Sequence, residues 1–243
     1  MAEAILALDV DNTLMPVDEP AERSVLEALE ILQRTDYLPV LASGKPAAYL
    51  SGLARGIGLM PCGIIAENGA VTWANCTMPP EAIDMGIEAY QREALREIRH
   101  AIVEEFSDGV FLQPNEVNVT AFPRGRNEEE RERGVGEVAD FVEPLVPEGI
   151  TMYRHIDSID CTPCHCDKGK ALRALAAHYE VPLCRAAAVG DGENDLPMLR
   201  EAGLAIAVGT ESAAAKETRV VVDSFPEALI TLGDFVEKLA QGQ

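Results

Sequence analysis

The sequence has few basic residues for its length. Of its 243 residues, 20 are lysine or arginine and 41 are aspartate or glutamate, so the formal net charge is −21. A polyanion would be repelled by the average field of such a surface, which argues against a nucleic-acid-binding protein. A small phosphorylated ligand is not excluded, because a few local cations and a metal ion can reverse the field within one pocket.

The sequence also lacks long apolar stretches. No run reaches 18 consecutive apolar residues. Residues 1–5 contain neither the basic segment nor the start of the long apolar segment that a secretory signal peptide has. These absences predict a protein without a membrane span or a secretory signal peptide, and therefore a cytoplasmic one. In a reducing cytoplasm, the six cysteines are expected to be free thiols.

Short apolar runs alternate with helical patterns in two separated parts of the chain. Before residue 77, strands are expected at 4–8, 37–42 and 63–67, with helices after Pro20 and Pro46. After residue 165, the expected helices are 168–179, 194–202, 211–217 and 226–240, and the expected strands are 186–189, 204–208 and 219–222. Buried strands that alternate with helices predict an α/β fold with a doubly wound parallel sheet.

The segment between these parts has a different pattern. The expected elements are an amphipathic helix at 81–106, two strands within 110–122, a helix that ends at Val142, and strands at 150–154 and 158–161. A helix followed by two strands, repeated once, predicts a small open sheet with helices on one face. We therefore expect a core formed by 1–76 and 166–243, with a smaller α+β domain inserted at 77–165.

Two aspartates lie at the carboxyl ends of predicted parallel strands, which is the edge where open α/β sheets bind ligands. These are Asp9 and Asp191, and Asp11 follows Asp9 by two positions in the same loop. Carboxylates that converge at this edge would repel one another strongly without a cation. Hard oxygen ligands with an open position favour Mg²⁺, so the sequence predicts a magnesium site.

Such a site is suited to phosphoryl transfer, because the cation neutralises the growing negative charge. Asp9 is placed to attack phosphorus and form an aspartyl-phosphate. Asp11 is placed to protonate the leaving alkoxide and later to activate water. Ser43 and Lys168 would bind the phosphoryl oxygens through a hydrogen bond and a positive charge.

Four runs in the predicted core resemble the four motifs of the haloacid dehalogenase-like superfamily, in the same order. They are Asp9-Val10-Asp11-Asn12-Thr13, Ser43-Gly44, Lys168-Gly169 and Gly190-Asp191-Gly192-Glu193-Asn194-Asp195. Two further runs are similar to the Cof-type (IIB) branch, namely Glu67-Asn68-Gly69-Ala70 and Asp167-Lys168-Gly169-Lys170-Ala171-Leu172. Two positions depart from the pattern: Asn12 stands where the branch usually has glycine, and Lys45 where arginine is commoner.

The resemblance implies a Rossmann-like core, an inserted cap domain and a role for each motif residue. Asp9 would be the nucleophile and Asp11 the general acid and base. The implied metal ligands are Asp9, Asp11 through its carbonyl, Asp191 and Asp195, and the implied phosphate-binding residues are Ser43, Lys168 and Asn194. Asn194 and Asp195 would hold the waters of the metal, orient Lys168 or ligate directly. Candidates for substrate specificity are Lys45, Asn68, Arg154 and His155.

The implied reaction is hydrolysis of a small phosphorylated metabolite, a sugar phosphate or phosphoglycolate, by a monomer or homodimer. The short cap resembles those of archaeal phosphoglycolate phosphatases and of several sugar-phosphate phosphatases. Three alternatives remain open: a phosphomutase that uses the same phosphoaspartate, a binding or regulatory module with an inactive core, and a zinc- or redox-responsive protein.

The last alternative depends on one cysteine-rich segment, Cys161-Thr-Pro-Cys164-His165-Cys166. Three thiols and an imidazole could bind zinc, although the spacing is crowded and no second pair of cysteines with zinc-site spacing is present. The segment leads directly into Lys168, so it is also a candidate for a hinge or a wall that faces the substrate. A redox-sensitive thiol is a third interpretation.

Overall fold

The computed structural model describes residues 3–35 and 37–240, with side chains described as far as residue 235. Residues 1–2, 36 and 241–243 of the predicted core lie outside the described residues. The chain forms two compact units. One combines the residues that precede Gly86 with those that follow Cys166, and the other is Gly86–Cys166.

The first unit is built around an eight-stranded sheet, with strand order β12-β11-β10-β1-β2-β3-β4-β5. Its strands are β1 (Ala4–Asp9), β2 (Tyr37–Ala42), β3 (Gly63–Ala66), β4 (Val71–Asn75), β5 (Glu81–Ile83), β10 (Ala186–Gly190), β11 (Leu204–Val208) and β12 (Val220–Val222). The six strands from β12 to β3 are mutually parallel. All six residues of β1 and of β2 are buried. The predicted α/β fold with a mostly parallel sheet is confirmed.

Amphipathic helices accompany this sheet. They are α1 (Arg23–Leu32), α2 (Ala47–Gly56), α5 (Lys168–His178), α6 (Leu196–Glu201) and α7 (Phe225–Ala240). In α1, the buried residues are Val25, Ala28, Leu29 and Leu32, which lie on one face at helical spacing. The packing of α5 places Ala171, Leu172 and Leu175 in the core with side chains of β1, β2 and β10.

An antiparallel addition to the sheet was not predicted. β4 and β5 pair antiparallel at the edge beyond β3, so residues 81–83 form a strand instead of the start of a helix. The helix begins only at Ala89, where the Gln91 side chain accepts a hydrogen bond from the Glu88 amide at 3.1 Å. Because β5 belongs to the large sheet, the second unit begins at Gly86, whereas the expectation for the inserted domain was 77–165.

The helix predicted at 211–217 is also different. Only Ala214–Lys216 form a short 3-10 turn. The Ala214 amide donates to the carbonyl of Asp191 at 3.0 Å, so this segment is bound to the loop after β10 and does not continue as a helix.

The second unit contains a four-stranded antiparallel sheet with strand order β6-β7-β9-β8. Its elements, in chain order, are α3 (Ala89–Phe106), β6 (Val110–Leu112), β7 (Val119–Pro123), α4 (Glu128–Val142), β8 (Ile150–Arg154) and β9 (Ile159–Pro163). Both helices pack on the sheet through buried apolar residues such as Ile98 and Val138. The order of a helix and two strands, repeated once, is the predicted one.

None of the helices in the described parts of the chain combines the length and apolarity that crossing a bilayer requires.

Candidate active site

The ends of three parallel strands bring the predicted site residues to one edge of the large sheet. Asp9 is the last residue of β1 and lies opposite Ala42, the last residue of β2, so Ser43 follows beside it. On the other side of β1, β10 ends at Gly190 and is followed by Asp191. Ligands of open α/β sheets bind at this carboxyl edge. The register of the strands thus places Asp9, Ser43 and Asp191 at the predicted location.

Lys168 joins two of the acidic residues. Its side chain is fully buried, and its Nζ donates to Asp9 Oδ1 at 2.7 Å and to Asp195 Oδ1 at 2.6 Å. Burial by itself lowers the pKa of Lys168, but the negative charges of Asp195 and Asp9 raise it above the usual range. Lys168 therefore keeps its positive charge between the two carboxylates.

Three carboxylates converge around this lysine. One oxygen from each of Asp9, Asp191 and Asp195 lies within 4.8 Å of the others. Burial raises the pKa of Asp9 to about 7 against the opposing effect of Lys168. Burial and the charge of Asp195 also raise the pKa of Asp191. Negative charge is therefore in excess here, and a hard divalent cation with oxygen ligands fits the three side chains.

The position of Asp195 is fixed by backbone contacts. Its Oδ2 accepts hydrogen bonds from the amides of Asp191 at 3.0 Å and Gly192 at 2.9 Å. A Cβ at Gly190 would lie 2.6 Å from Asp195 Cγ, so only glycine allows this close approach. The backbone of the Gly190-Asp191-Gly192 run thus holds the Asp195 carboxylate in place.

Thr13 supports Asp191, a role that its sequence motif does not by itself indicate. Its hydroxyl donates to Asp191 Oδ1 at 3.3 Å and links the loop after β1 to the loop after β10. Its position two residues after Asp11 was the available signal, because that places it in the same loop. Hydrogen bonds of this kind orient carboxylates that bind metals.

Asp11 lies in a different environment from Asp9. Its Oδ2 is 3.3 Å from Lys45 Nζ, and both side chains keep about a quarter of their surface exposed, 26% and 28%. The Asp11 carboxylate is not part of the three-carboxylate group found among the described residues. The contact predicted for Asp11 with the metal is through its carbonyl and does not require the side chain. Asn12, with a φ of 58°, adopts the left-handed conformation that asparagine tolerates in place of glycine.

Asn194 contacts another predicted residue. Its Nδ2 donates to Asn68 Oδ1 at 3.1 Å, and the Asn68 amide in turn donates to the carbonyl of Ser43 at 3.1 Å. The run 67–69 forms a 3-10 turn after β3 in which Glu67 is buried. A Cβ at Gly69 would lie 2.3 Å from the carbonyl oxygen of Asp167, so this turn packs tightly against the start of α5. The two Cof-type runs therefore lie against each other.

Arg154 and His155 lie in the second unit, at and just after the end of β8. His155 Nε2 is 3.4 Å from Asp160 Oδ2 on the neighbouring strand β9. Nothing in the contacts of these residues tests their proposed role in specificity, which stays a prediction.

The cysteine-rich segment does not form a cluster of metal ligands. Among the described residues, only Asp9, Asp191 and Asp195 form such a cluster. Cys161 is buried in β9, and burial raises the pKa of its thiol to about 12, whereas Cys164 is exposed in the turn that follows. The side chains are thus separated by the strand and turn that carry them, which argues against the zinc hypothesis. All six cysteines are free thiols.

Comparison with known proteins agrees with this geometry. The family model of haloacid dehalogenase-like hydrolases matches residues 6–132 and 126–223. The chain is 26% identical to a phosphoglycolate phosphatase of Methanopyrus kandleri, with 90% of each chain covered. It is 27% identical to a phosphoglycolate phosphatase of Archaeoglobus fulgidus, with 91% of each covered.

The same fold is found among solved structures. A sugar phosphatase of haloacid dehalogenase subclass IIB superposes with a TM-score of 0.67 at 22% identity, over 95% of this chain and 99% of that chain. The predicted resemblance and the predicted class of enzyme, a phosphatase, are confirmed. The chain belongs to the haloacid dehalogenase-like hydrolase family.

Proposed function

We propose that this enzyme hydrolyses a small phosphomonoester with the help of Mg²⁺ and through an aspartyl-phosphate on Asp9. The observation that carries the proposal is the Asp9 carboxylate, held at one oxygen by buried Lys168 and adjoined by Asp191 and Asp195. A general acid or base needs no such cluster, whereas a nucleophile that must approach an anionic phosphate does.

The first step assigns one task to each oxygen of Asp9. Because Lys168 occupies Oδ1, the other oxygen is the one that attacks phosphorus. The bond between phosphorus and the leaving oxygen breaks, and Asp11 gives its proton to the departing alkoxide. In the second step, Asp11 removes a proton from water, the hydroxide attacks phosphorus, and the Asp9 carboxylate is released with inorganic phosphate.

The residues that would hold Mg²⁺ are Asp9, Asp191 and Asp195, together with the carbonyl of Asp11. When bound, the ion would neutralise charge on the phosphoryl oxygens and so permit an anion to be attacked by a carboxylate. Lys168 contributes a fixed charge on the protein side, and Thr13 orients Asp191. Ser43, Asn194 and Lys45 are the proposed contacts of the phosphoryl group from the ends of the other strands and loops.

The proposed substrates are phosphoglycolate and sugar phosphates. Two relatives similar to the chain over nine-tenths of its length are phosphoglycolate phosphatases, which supports the first. We propose that the second unit is the cap that selects the substrate, with Arg154 and His155 as its candidate specificity residues, and that Asn68 is a further candidate in the first unit. The six free thiols agree with a cytoplasmic location, because disulfides are rare there.

The test is a phosphatase assay of the full chain with phosphoglycolate and a panel of sugar phosphates. Turnover is expected with Mg²⁺ and not with excess chelator, and it should return when Mg²⁺ is added back. Asp9→Asn should lower kcat by at least about 10⁴-fold, because the nucleophile is lost. The matched control is Asp108→Asn, which replaces an exposed aspartate of the second unit and should leave kcat unchanged.

The outcomes separate the alternatives. Near-normal turnover by Asp9→Asn would contradict the mechanism. Conversion of a sugar 1-phosphate into an isomer, without release of inorganic phosphate, would identify a phosphomutase. Absence of turnover on the whole panel, with Mg²⁺ bound, would favour a binding module.

A further inference from the structure

Three sulphur atoms lie together at the edge of the large sheet opposite the carboxylates. Cys62 comes just before β3 and Cys76 just after β4, so both lie at the end of the hairpin that points away from Asp9. The Cys76 amide donates to the carbonyl of Cys62 at 3.0 Å, which makes the two residues neighbours across the strands. Cys76 Sγ lies 3.4 Å from Met60 Sδ.

The burial of these side chains differs. Cys62 is 0% exposed and Cys76 is 3% exposed, whereas Met60 is 38% exposed. A single buried cysteine acts as a small apolar residue. Here the two buried cysteines are neighbours across the strands, and the thioether next to Cys76 extends to the surface. In this trio of Met60, Cys62 and Cys76, the two thiols are therefore shielded from solvent, and a small ion can reach them past the exposed Met60 side chain.

The chemistry of the trio selects a class of metal ion. Thiolate and thioether sulphurs are soft ligands, and soft ligands select Cu(I). A structural zinc site takes four ligands from cysteine, histidine or carboxylate side chains. Among the described residues, neither Cys62 nor Cys76 belongs to a converging group of three such ligands, and the third sulphur comes from methionine. We propose that Met60, Cys62 and Cys76 form a three-coordinate site for Cu(I).

Binding is a ligand exchange without a change in oxidation state. Two S–H bonds break and two Cu–S bonds form, the two protons pass to solvent, and Met60 donates a lone pair. Cys76 lies beside the exposed Met60, so it is the first of the two cysteines to bind, as a thiolate. Burial raises the pKa of Cys62, so its proton leaves only as the metal takes its place.

The trio is separate from the proposed phosphatase site. β3 is four residues long, which at about 3.3 Å per residue sets the two edges of the sheet roughly 13 Å apart. Copper binding and phosphate release are therefore measured independently, and either proposal can fail without the other.

The experiment titrates the full chain, reduced and free of oxygen, with Cu(I) in competition with bicinchoninate. One Cu(I) per chain is expected, with three sulphur neighbours and no nitrogen or oxygen in the X-ray absorption spectrum. Loss of a residue that only supports a metal ligand costs about 10- to 100-fold in affinity. The double variant Cys62→Ser/Cys76→Ser should therefore lose at least about 100-fold, and Met60→Leu about tenfold.

The matched control is Cys184→Ser, which removes an exposed cysteine of the same unit and should leave the affinity unchanged. The proposal is overturned if Cys184→Ser weakens binding as much as the double variant does, or if copper is bound through nitrogen or oxygen. Should the double variant fail to fold, Met60→Leu at the surface still decides, because an unchanged affinity would contradict a role for its sulphur.

Discussion

Two lysine–aspartate pairs lie at the carboxyl edge of the large sheet in this enzyme, and they differ in burial. The Lys168–Asp9 pair has side-chain exposures of 0% and 7%, and Lys168 holds Asp195 as well. The Lys45–Asp11 pair has exposures of 28% and 26% and a longer separation of 3.3 Å. A buried ion pair is hard to break because each partner would be left unpaired in a medium of low dielectric constant. A partly exposed pair is screened by water and contributes little.

The difference agrees with the roles proposed for the two aspartates. A nucleophile must stay in one place with one oxygen free, and the buried lysine holds Asp9 in that way. A general acid and base must exchange protons with substrate and water, and Asp11 keeps access to solvent. Four predictions test this contrast, beginning with the largest expected effect.

Removing the buried cation should destabilise the metal-free protein most. Lys168→Met leaves Asp9 and Asp195 without their partner, and breaking a buried pair in this way costs about 3–5 kcal/mol. Urea denaturation of the chelated protein measures the loss. Lys45→Met is the matched control, with an expected loss of about 0–1 kcal/mol. Equal losses for the two variants would mean that burial does not distinguish the pairs.

Mg²⁺ should stabilise the protein more as the pH rises from about 5 to 7. The pKa of Asp9 is about 7 in the folded protein and 3.8 in the unfolded chain. Between these two pH values, the metal-free folded protein holds a proton on Asp9 that the unfolded chain has already released, so its stability falls as the pH rises. A metal ion must displace that proton. The free energy that Mg²⁺ adds should therefore increase by about 1.4 kcal/mol per pH unit in this window.

Thermal unfolding with and without Mg²⁺, at several pH values, measures this dependence. Asp9→Asn provides the control, because it has no proton to displace at this position. A Mg²⁺ effect that is constant from pH 5 to 7 would contradict the raised pKa of Asp9.

Lys45→Met should affect substrate binding more than stability. The lysine lies beside Asp11 and is the proposed second cation near the phosphate, so its loss should raise KM by about tenfold, a cost of roughly 1.4 kcal/mol. Lys45→Arg should restore most of the affinity, since the charge is kept. Steady-state kinetics with the best substrate of the panel decides, and an unchanged KM for Lys45→Met would exclude a contact with the phosphate.

The smallest effect is expected at Thr13. Thr13→Val removes the hydrogen bond to Asp191, whose length of 3.3 Å exceeds the usual O–H···O range of about 2.5–3.0 Å and marks it as weak. Mg²⁺ affinity should fall by about three- to tenfold, near the lower limit for a residue that supports a metal ligand. Thr13→Ser keeps the hydroxyl and should behave like the unchanged protein. A fall in stability without a fall in Mg²⁺ affinity would assign Thr13 a role in packing alone.

Much of the site could be predicted because its parts are local. Asp9 ends an apolar strand, Asp191 directly follows another, and parallel strands must bring their carboxyl ends to one edge. The cysteine-rich segment shows the limit of such reasoning. Cys161, Cys164 and Cys166 are close in sequence, yet the first is buried in β9 and the second is exposed in the turn that follows it. Cys62 and Cys76 are far apart in sequence, and a hairpin that was not predicted makes them neighbours.

The sequence alone determined the α/β alternation, and it predicted the inserted unit, the motif residues and a cation at the site, because each of these depends on periodicity or on charge at a strand end. Only the tertiary structure decided which aspartate binds Lys168, that Thr13 supports Asp191, and that β4 and β5 extend the sheet. These features depend on contacts between segments that lie far apart along the chain. Short-range sequence patterns do not specify which distant residue a side chain contacts.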